Sequence, residues 1–90
     1  NIAKAAHNDT LTALALGEIG KALWGTYPDS AMVYEQEMLR LSEQIAYARG
    51  KAIAYNNIGY IYRKKSRYDE CLEYSHKALA IIEPLGDKSM

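Results

Sequence analysis

Residues 13–43, ALALGEIGKALWGTYPDSAMVYEQEMLRLSE, and residues 52–83, AIAYNNIGYIYRKKSRYDECLEYSHKALAIIE, superimpose with a single one-residue gap. In the first half of the unit the matched pairs are Ala13/Ala52, Ala15/Ala54, Ile19/Ile58 and Gly20/Gly59. In the second half they are Asp29/Asp69, Ala31/Cys71, Tyr34/Tyr74, Leu39/Leu79, Leu41/Ile81 and Glu43/Glu83. Self-similarity at a period of about 40 residues marks a supersecondary unit that buries its apolar face by stacking on its neighbours. The expectation is an all-α chain of antiparallel helix pairs piled into a slice of a solenoid.

Within each unit the apolar period is helical. Leu16, Ile19, Gly20 and Leu23 recur at i, i+3, i+4 and i+7, as do Tyr55, Ile58, Gly59 and Tyr62, so each unit opens with an amphipathic helix, A. A second helix, B, carries Ala31, Tyr34, Met38, Leu41 and Ile45 in one unit and Cys71, Tyr74, Ala78 and Ile82 in the other. Between them lie Gly25-Thr26-Tyr27-Pro28 and Lys65-Ser66-Arg67-Tyr68, short enough to make A and B antiparallel. Pro28 suits a first helical position, and Asp29 and Asp69 suit the positive end of a helix dipole. Gly50 and Gly86-Asp87 stand where B should stop, and Pro84 places the end of the second B helix near Leu85. Ile2, Ala5 and Ala6 match the tail of a B helix, with His7-Asn8-Asp9 as the junction after it. The expected organisation is therefore a tail of a preceding unit at 1–8, unit 1 at 9–49, and unit 2 with a junction to a further unit at 50–90. The start at Asn1 without a methionine and the sequence Leu85-Gly86-Asp87-Lys88 point to an excised piece of a longer array.

Composition narrows the function classes. Among 90 residues, 11 basic and 11 acidic side chains cancel, so the whole-chain field gives no reason to expect nucleic acid or an anionic membrane surface as a partner. No apolar run approaches the roughly 18 residues that span a bilayer, and the opening residues do not lead one to expect a basic-then-apolar leader. The single cysteine, Cys71, cannot form an internal disulfide and reads as a small buried hydrophobe in a reducing, cytoplasmic setting.

The stretch Tyr55-Asn56-Asn57-Ile58-Gly59-Tyr60-Ile61-Tyr62, followed by Arg67-Tyr68-Asp69-Glu70-Cys71-Leu72-Glu73-Tyr74-Ser75-His76-Lys77-Ala78-Leu79, resembles a tetratricopeptide repeat across the whole unit. Tyr55 takes the large aromatic place, Ile58-Gly59 the Leu-Gly pair, Tyr62 the following tyrosine, Cys71 the small residue opening helix B and Ala78 the later alanine. Ser75 replaces a usual aromatic, with Tyr74 beside it to fill the space. Unit 1 matches with Leu16, Ile19-Gly20, Leu23, Ala31 and Tyr34, leucines standing for aromatics. The repeat exceeds the familiar length of about 34 residues. That length and the Leu-Gly-Asp-Lys junction resemble long-form repeats of bacterial signalling proteins, and similar forms occur in eukaryotic adaptors. A right-handed superhelix is the fold this resemblance implies.

It also implies a binding face, because A helices of tetratricopeptide arrays line a concave groove that grips peptides. With Tyr55, Ile58, Gly59 and Tyr62 committed to the core, a turn of about 100° per residue puts Ile53, Asn57, Tyr60 and Lys64 on the opposite face. The same operation on unit 1 selects Leu14, Glu18, Lys21 and Gly25, with Asn56, Arg63, Gly17 and Trp24 flanking. Asn57 matches the family position whose asparagine bonds a peptide backbone, and Glu18 replaces it in unit 1, against a simple carboxylate clamp. The expected ligand is a peptide with both apolar and acidic positions, gripped by Tyr60 and Trp24 as rigid aromatic area and by Lys21, Arg63 and Lys64 as cations. Plainer readings stand beside these: Asn57 as a solvated helix residue, Trp24 as cover for the hairpin turn, and the run Arg63-Lys64-Lys65-Ser66-Arg67 as cations answering the dipole at a helix C-terminus in preference to a nucleic-acid patch.

Nothing in the sequence points to catalysis or to a cofactor. His7 and His76 lie in different units, no ligand spacing resembles a metal site, and Asp69, Glu70 and Glu73 cluster where a helix dipole welcomes acids. The expectation is a non-enzymatic protein-interaction module within a larger bacterial signalling protein. An architectural spacer or self-association segment is the alternative, and a regulatory domain for a signalling peptide a third. Open end surfaces of such an array also predict self-association through the terminal helices.

Overall fold

The computed structural model describes the backbone of residues 2–84 and the side chains of residues 8–84. Four α-helices follow one another, α1 (Ile2–Leu23), α2 (Pro28–Gln44), α3 (Ala48–Lys64) and α4 (Tyr68–Ile82), and no strand occurs among the described residues. Connections this short force consecutive helices to fold back as packed neighbours. Beyond these contacts α1 reaches α3, whereas α4 has α3 as its single helical neighbour among the described residues. The result is a stack of helical hairpins measuring 44 × 30 × 20 Å.

The helix boundaries have local causes. Pro28 opens α2 at a position whose N–H has no intrahelical partner, and Asp29 follows it in the first turn. Asp69 and Glu70 take the same role in α4. At the other end, α2 and α3 close alike. Ala46 and Ser66 adopt left-handed backbone, φ 56° and 63°. The Tyr47 N–H bonds the Ser42 carbonyl at 2.7 Å and the Ala46 N–H bonds that of Glu43 at 3.2 Å. The Arg67 and Ser66 N–H groups repeat the pattern on Tyr62 at 2.8 Å and Arg63 at 2.9 Å. Both are Schellman endings with a residue other than glycine in the strained place. Ala46→Gly and Ser66→Gly should each raise stability by roughly 0.5–1 kcal/mol in urea denaturation, by relieving the Cβ clash of left-handed backbone.

This geometry corrects several expectations. Gly50 does not end the B helix of unit 1: α2 stops at Gln44, Ala46 supplies the left-handed turn, and Gly50 is buried in the first turn of α3. A Cβ there would stand 2.3 Å from Ser42 Oγ and 2.5 Å from the Tyr47 ring, so this glycine serves close approach instead of chain reversal. The connection between α2 and α3 accordingly spans 45–47. No break occurs at His7-Asn8-Asp9, where α1 runs on; the stretch holds neither glycine nor proline, and Thr12 Oγ1 donates to the Asn8 carbonyl at 2.9 Å. At the far end α4 stops at Ile82, two residues before Pro84, and the Leu85-Gly86-Asp87-Lys88 junction lies outside the described residues.

The core centres on Ala13, Met38 and Ala54, one residue from each of α1, α2 and α3, with Leu14, Leu16, Leu39, Leu41, Tyr47 and Ile53 packed around it. Ile19, expected in the stripe, is 43% exposed, because α1 turns it away from both neighbours, and Cys71 is half-buried. In unit 2 the Tyr74 ring turns to its own helix pair, 5.6 Å from the ring of Tyr62 and 5.9 Å from that of Tyr55, and leaves the space beside Ser75 open. Gly59 brings α3 against α4, where a Cβ would meet the Cys71 carbonyl oxygen at 3.3 Å.

Candidate functional site

Four of the residues selected from sequence converge. Trp24 at the end of α1 stacks on Tyr60 of α3, ring centroids 4.1 Å apart and planes inclined by 39°. Asn56, Tyr60 and Arg63 lie at i, i+4 and i+7 on α3 and therefore share one face. With Cys71 and Ser75 of α4 they line a cavity of about 220 Å³. The Lys64 ammonium lies 5.9 Å from the Tyr60 ring centroid, at the edge of the same aromatic pair.

The charges around this cavity sort themselves by partner. Within the basic run, Lys65 pairs with Asp29 at 2.6 Å, tying the end of α3 to the start of α2, and Arg67 pairs with Glu70 one turn on. Arg63, exposed, has no ion-pair partner among the described residues. The helix dipole accounts for basic residues in this turn. It does not account for a guanidinium held beside an indole, a phenol, a carboxamide and a hydroxyl around one hollow. Such a set can accept an anionic group against the cation while an apolar neighbour rests on the rings.

The remaining selected residues lie elsewhere. Glu18 and Lys21 are exposed on α1 and face each other at 3.8 Å. Leu14 and Ile53 do not form an open floor; both pack on the Ala13–Met38–Ala54 cluster. Asn57 is the main correction. It is buried at 5% exposure, and its Nδ2 donates to Glu35 Oε1 of α2 at 3.1 Å. The wheel placed it opposite the core, but α3 is enclosed on two sides, and Asn57 turns toward α2.

Glu35, which the sequence reading passed over, is the most unusual side chain in the molecule. It is fully buried, its Oε2 has no hydrogen-bond partner among the described residues, and a Cβ at Gly20 would stand 2.2 Å from that oxygen. Gly17 likewise makes room for Met38, whose Sδ would lie 2.6 Å from a Cβ there. Burial pushes the Glu35 carboxyl from 4.5 up to about 7, with Glu18 adding to the rise and the Asn57 hydrogen bond and Lys21 opposing it. A clue was present: Ala31, Glu35, Met38 and Ser42 recur at i, i+4, i+7 and i+11, the buried stripe of α2. Enclosed on all sides, this carboxyl joins helices and offers no face to a substrate.

No helix is long and apolar enough to cross a membrane, and no cluster of potential metal ligands occurs among the described residues. Compared with family models, curated protein sequences and solved structures, the chain matches none.

Proposed function

We propose that the chain is a tetratricopeptide-type repeat segment acting as a non-catalytic protein-interaction module, and that its ligand is a peptide or partner surface presenting an acidic side chain next to an apolar one. The observation that supports this reading most is the cavity in which Trp24, Asn56, Tyr60 and Arg63 meet Cys71 and Ser75. Rigid aromatic area and an unengaged arginine are the anchors that dominate protein recognition. The hairpin stack and the repeat of about 40 residues support membership of the long-form repeats, and through them a place in a larger bacterial signalling protein.

Trp24 is the chain's one tryptophan and lines the cavity, so its emission reports occupancy directly. A peptide carrying adjacent leucine and glutamate should shift that emission in a saturable way, and its glutamine analogue should bind at least about 10-fold more weakly. Arg63→Glu should abolish the difference between the two peptides. Equal binding of both peptides to the parent chain would refute the site.

A spacer or self-association role is the second reading. It is favoured by Leu72, Leu79 and Ile82 of α4, which are exposed on the helix that has one neighbour.

A further inference from the structure

The internal repeat supplies a template for what covers the open side of α3 and α4. Between the units, α3 seats on α2 where Gly50 faces Ser42, Ala54 meets Met38 and Asn57 bonds Glu35, and the buried stripe of these three runs on to Ile61. Its matched stripe on α1 is Leu11, Ala15, Glu18 and Ala22, and all four are exposed. The receiving stripe of α2, Ala31, Glu35, Met38 and Ser42, is matched on α4 by Cys71, Ser75, Ala78 and Ile82. One chain thus carries both halves of a joint it uses once internally.

We propose that a second copy of this chain docks head to tail, its α1 seated on α3 and α4 of the first, with Glu18 of the incoming copy entering the cavity at Ser75 and Arg63. The repeat correspondence sets the register. Asn57 meets Glu35 in the internal joint, so Glu18 meets Ser75 in the external one. Polarity is exchanged across the joint: internally the donor rides on the incoming helix and the acid waits on the receiving one, externally the acid arrives and the donors wait. Glu18 is 75% exposed and held only by a solvent-screened contact with Lys21 at 3.8 Å, and Arg63 has no ion-pair partner among the described residues, so the guanidinium can draw the carboxylate to it. Apolar area follows the same register. Gly50 faces Ser42 internally, and the matched pair Leu11 and Ile82 is 53% and 39% exposed. The joint is heterologous, and repeating the relation between the two units extends the stack without closing it.

The inference rests on the cavity reading in using the same anion seat, and it commits that seat to one partner. Sedimentation equilibrium over a wide range of concentration tests it. The parent chain should rise above its monomer mass of 10.1 kDa with concentration, whereas Glu18→Arg and Arg63→Glu should each associate at least about 10-fold more weakly, with helicity unchanged by circular dichroism. Mixing the two variants should restore association, because each then meets the opposite charge on the other, and the double variant should associate by itself. A parent chain that stays monomeric while the leucine–glutamate peptide still binds through Arg63 overturns the second copy and leaves the cavity reading standing. Association that neither variant weakens overturns this joint. Monomer throughout, with no peptide response either, overturns both.

Discussion

The conformational stability of this protein should fall as pH rises from about 5 to about 8, and Glu35→Gln should flatten most of the fall. Glu35 is fully buried and titrates near 7 in the folded chain against 4.5 ordinarily. A carboxyl whose folded pKa is raised binds its proton more tightly when folded. Its favourable contribution is complete below about pH 4.5, declines through the window up to about 7, and is absent beyond it. The shift corresponds to roughly 3 kcal/mol across that window. Glutamine keeps an oxygen for Asn57 and cannot ionise, so the variant should be the more stable protein at pH 8 by about 1–2 kcal/mol and lose that advantage at pH 5. Urea denaturation of both chains at half-unit steps measures this, and the difference between them isolates Glu35 from the other carboxylates. Parallel profiles would show that the carboxyl does not titrate there.

Asn57→Ala should cost more the higher the pH. The Asn57 carboxamide is the hydrogen-bond donor that reaches the buried Glu35 carboxyl, at 3.1 Å. Removing it below pH 5 deprives a neutral acid of one hydrogen bond, a loss of about 1 kcal/mol; above pH 8 it leaves a buried carboxylate without that donor, a loss of about 3 kcal/mol. In the Glu35→Gln background the pH dependence of the Asn57→Ala penalty should vanish. A penalty equal at both extremes would mean that the amide stabilises α3 by packing alone. Replacing both residues with leucine should recover most of the stability, since a well-packed apolar pair removes the desolvation cost altogether.

The helix pairs were legible because a repeat unit and a helical stripe say the same thing twice, and Pro28, Asp29 and Asp69 mark the starts independently. What misled was the assumption of one buried face per helix. α3 packs Gly59 on α4 and Gly50, Ala54 and Asn57 on α2, with Ala52, Ile58 and Ile61 buried as well. A wheel drawn from Tyr55, Ile58, Gly59 and Tyr62 alone sends Asn57 to solvent. The small residues Gly50 and Ala54, seven and three positions before it, were the sign that a second helix comes close along that line. Glu35 escaped notice because an acid inside a helix ordinarily reads as solvated; its stripe spacing and the glycines at 17 and 20 identify it only once α1 and α2 are known to touch there. Gly50 suggests a stop because glycine commonly ends helices, but alanine occupies the left-handed position here. Trp24, Asn56, Tyr60 and Arg63, which the A helices single out, line the cavity together with Cys71 and Ser75, which a search of the A helices alone does not reach.

Unequal support along the stack sets an order in which the chain comes apart. α2 is held from both sides by α1 and α3, whereas α4 leans on α3 alone. Backbone amides of α4 should therefore exchange with deuterium through openings that leave the rest of the fold intact, while those of α2 wait for global unfolding. Whatever seats itself against the last helix would slow its exchange first, so the weakest part of the molecule is also the part best placed to register an arrival.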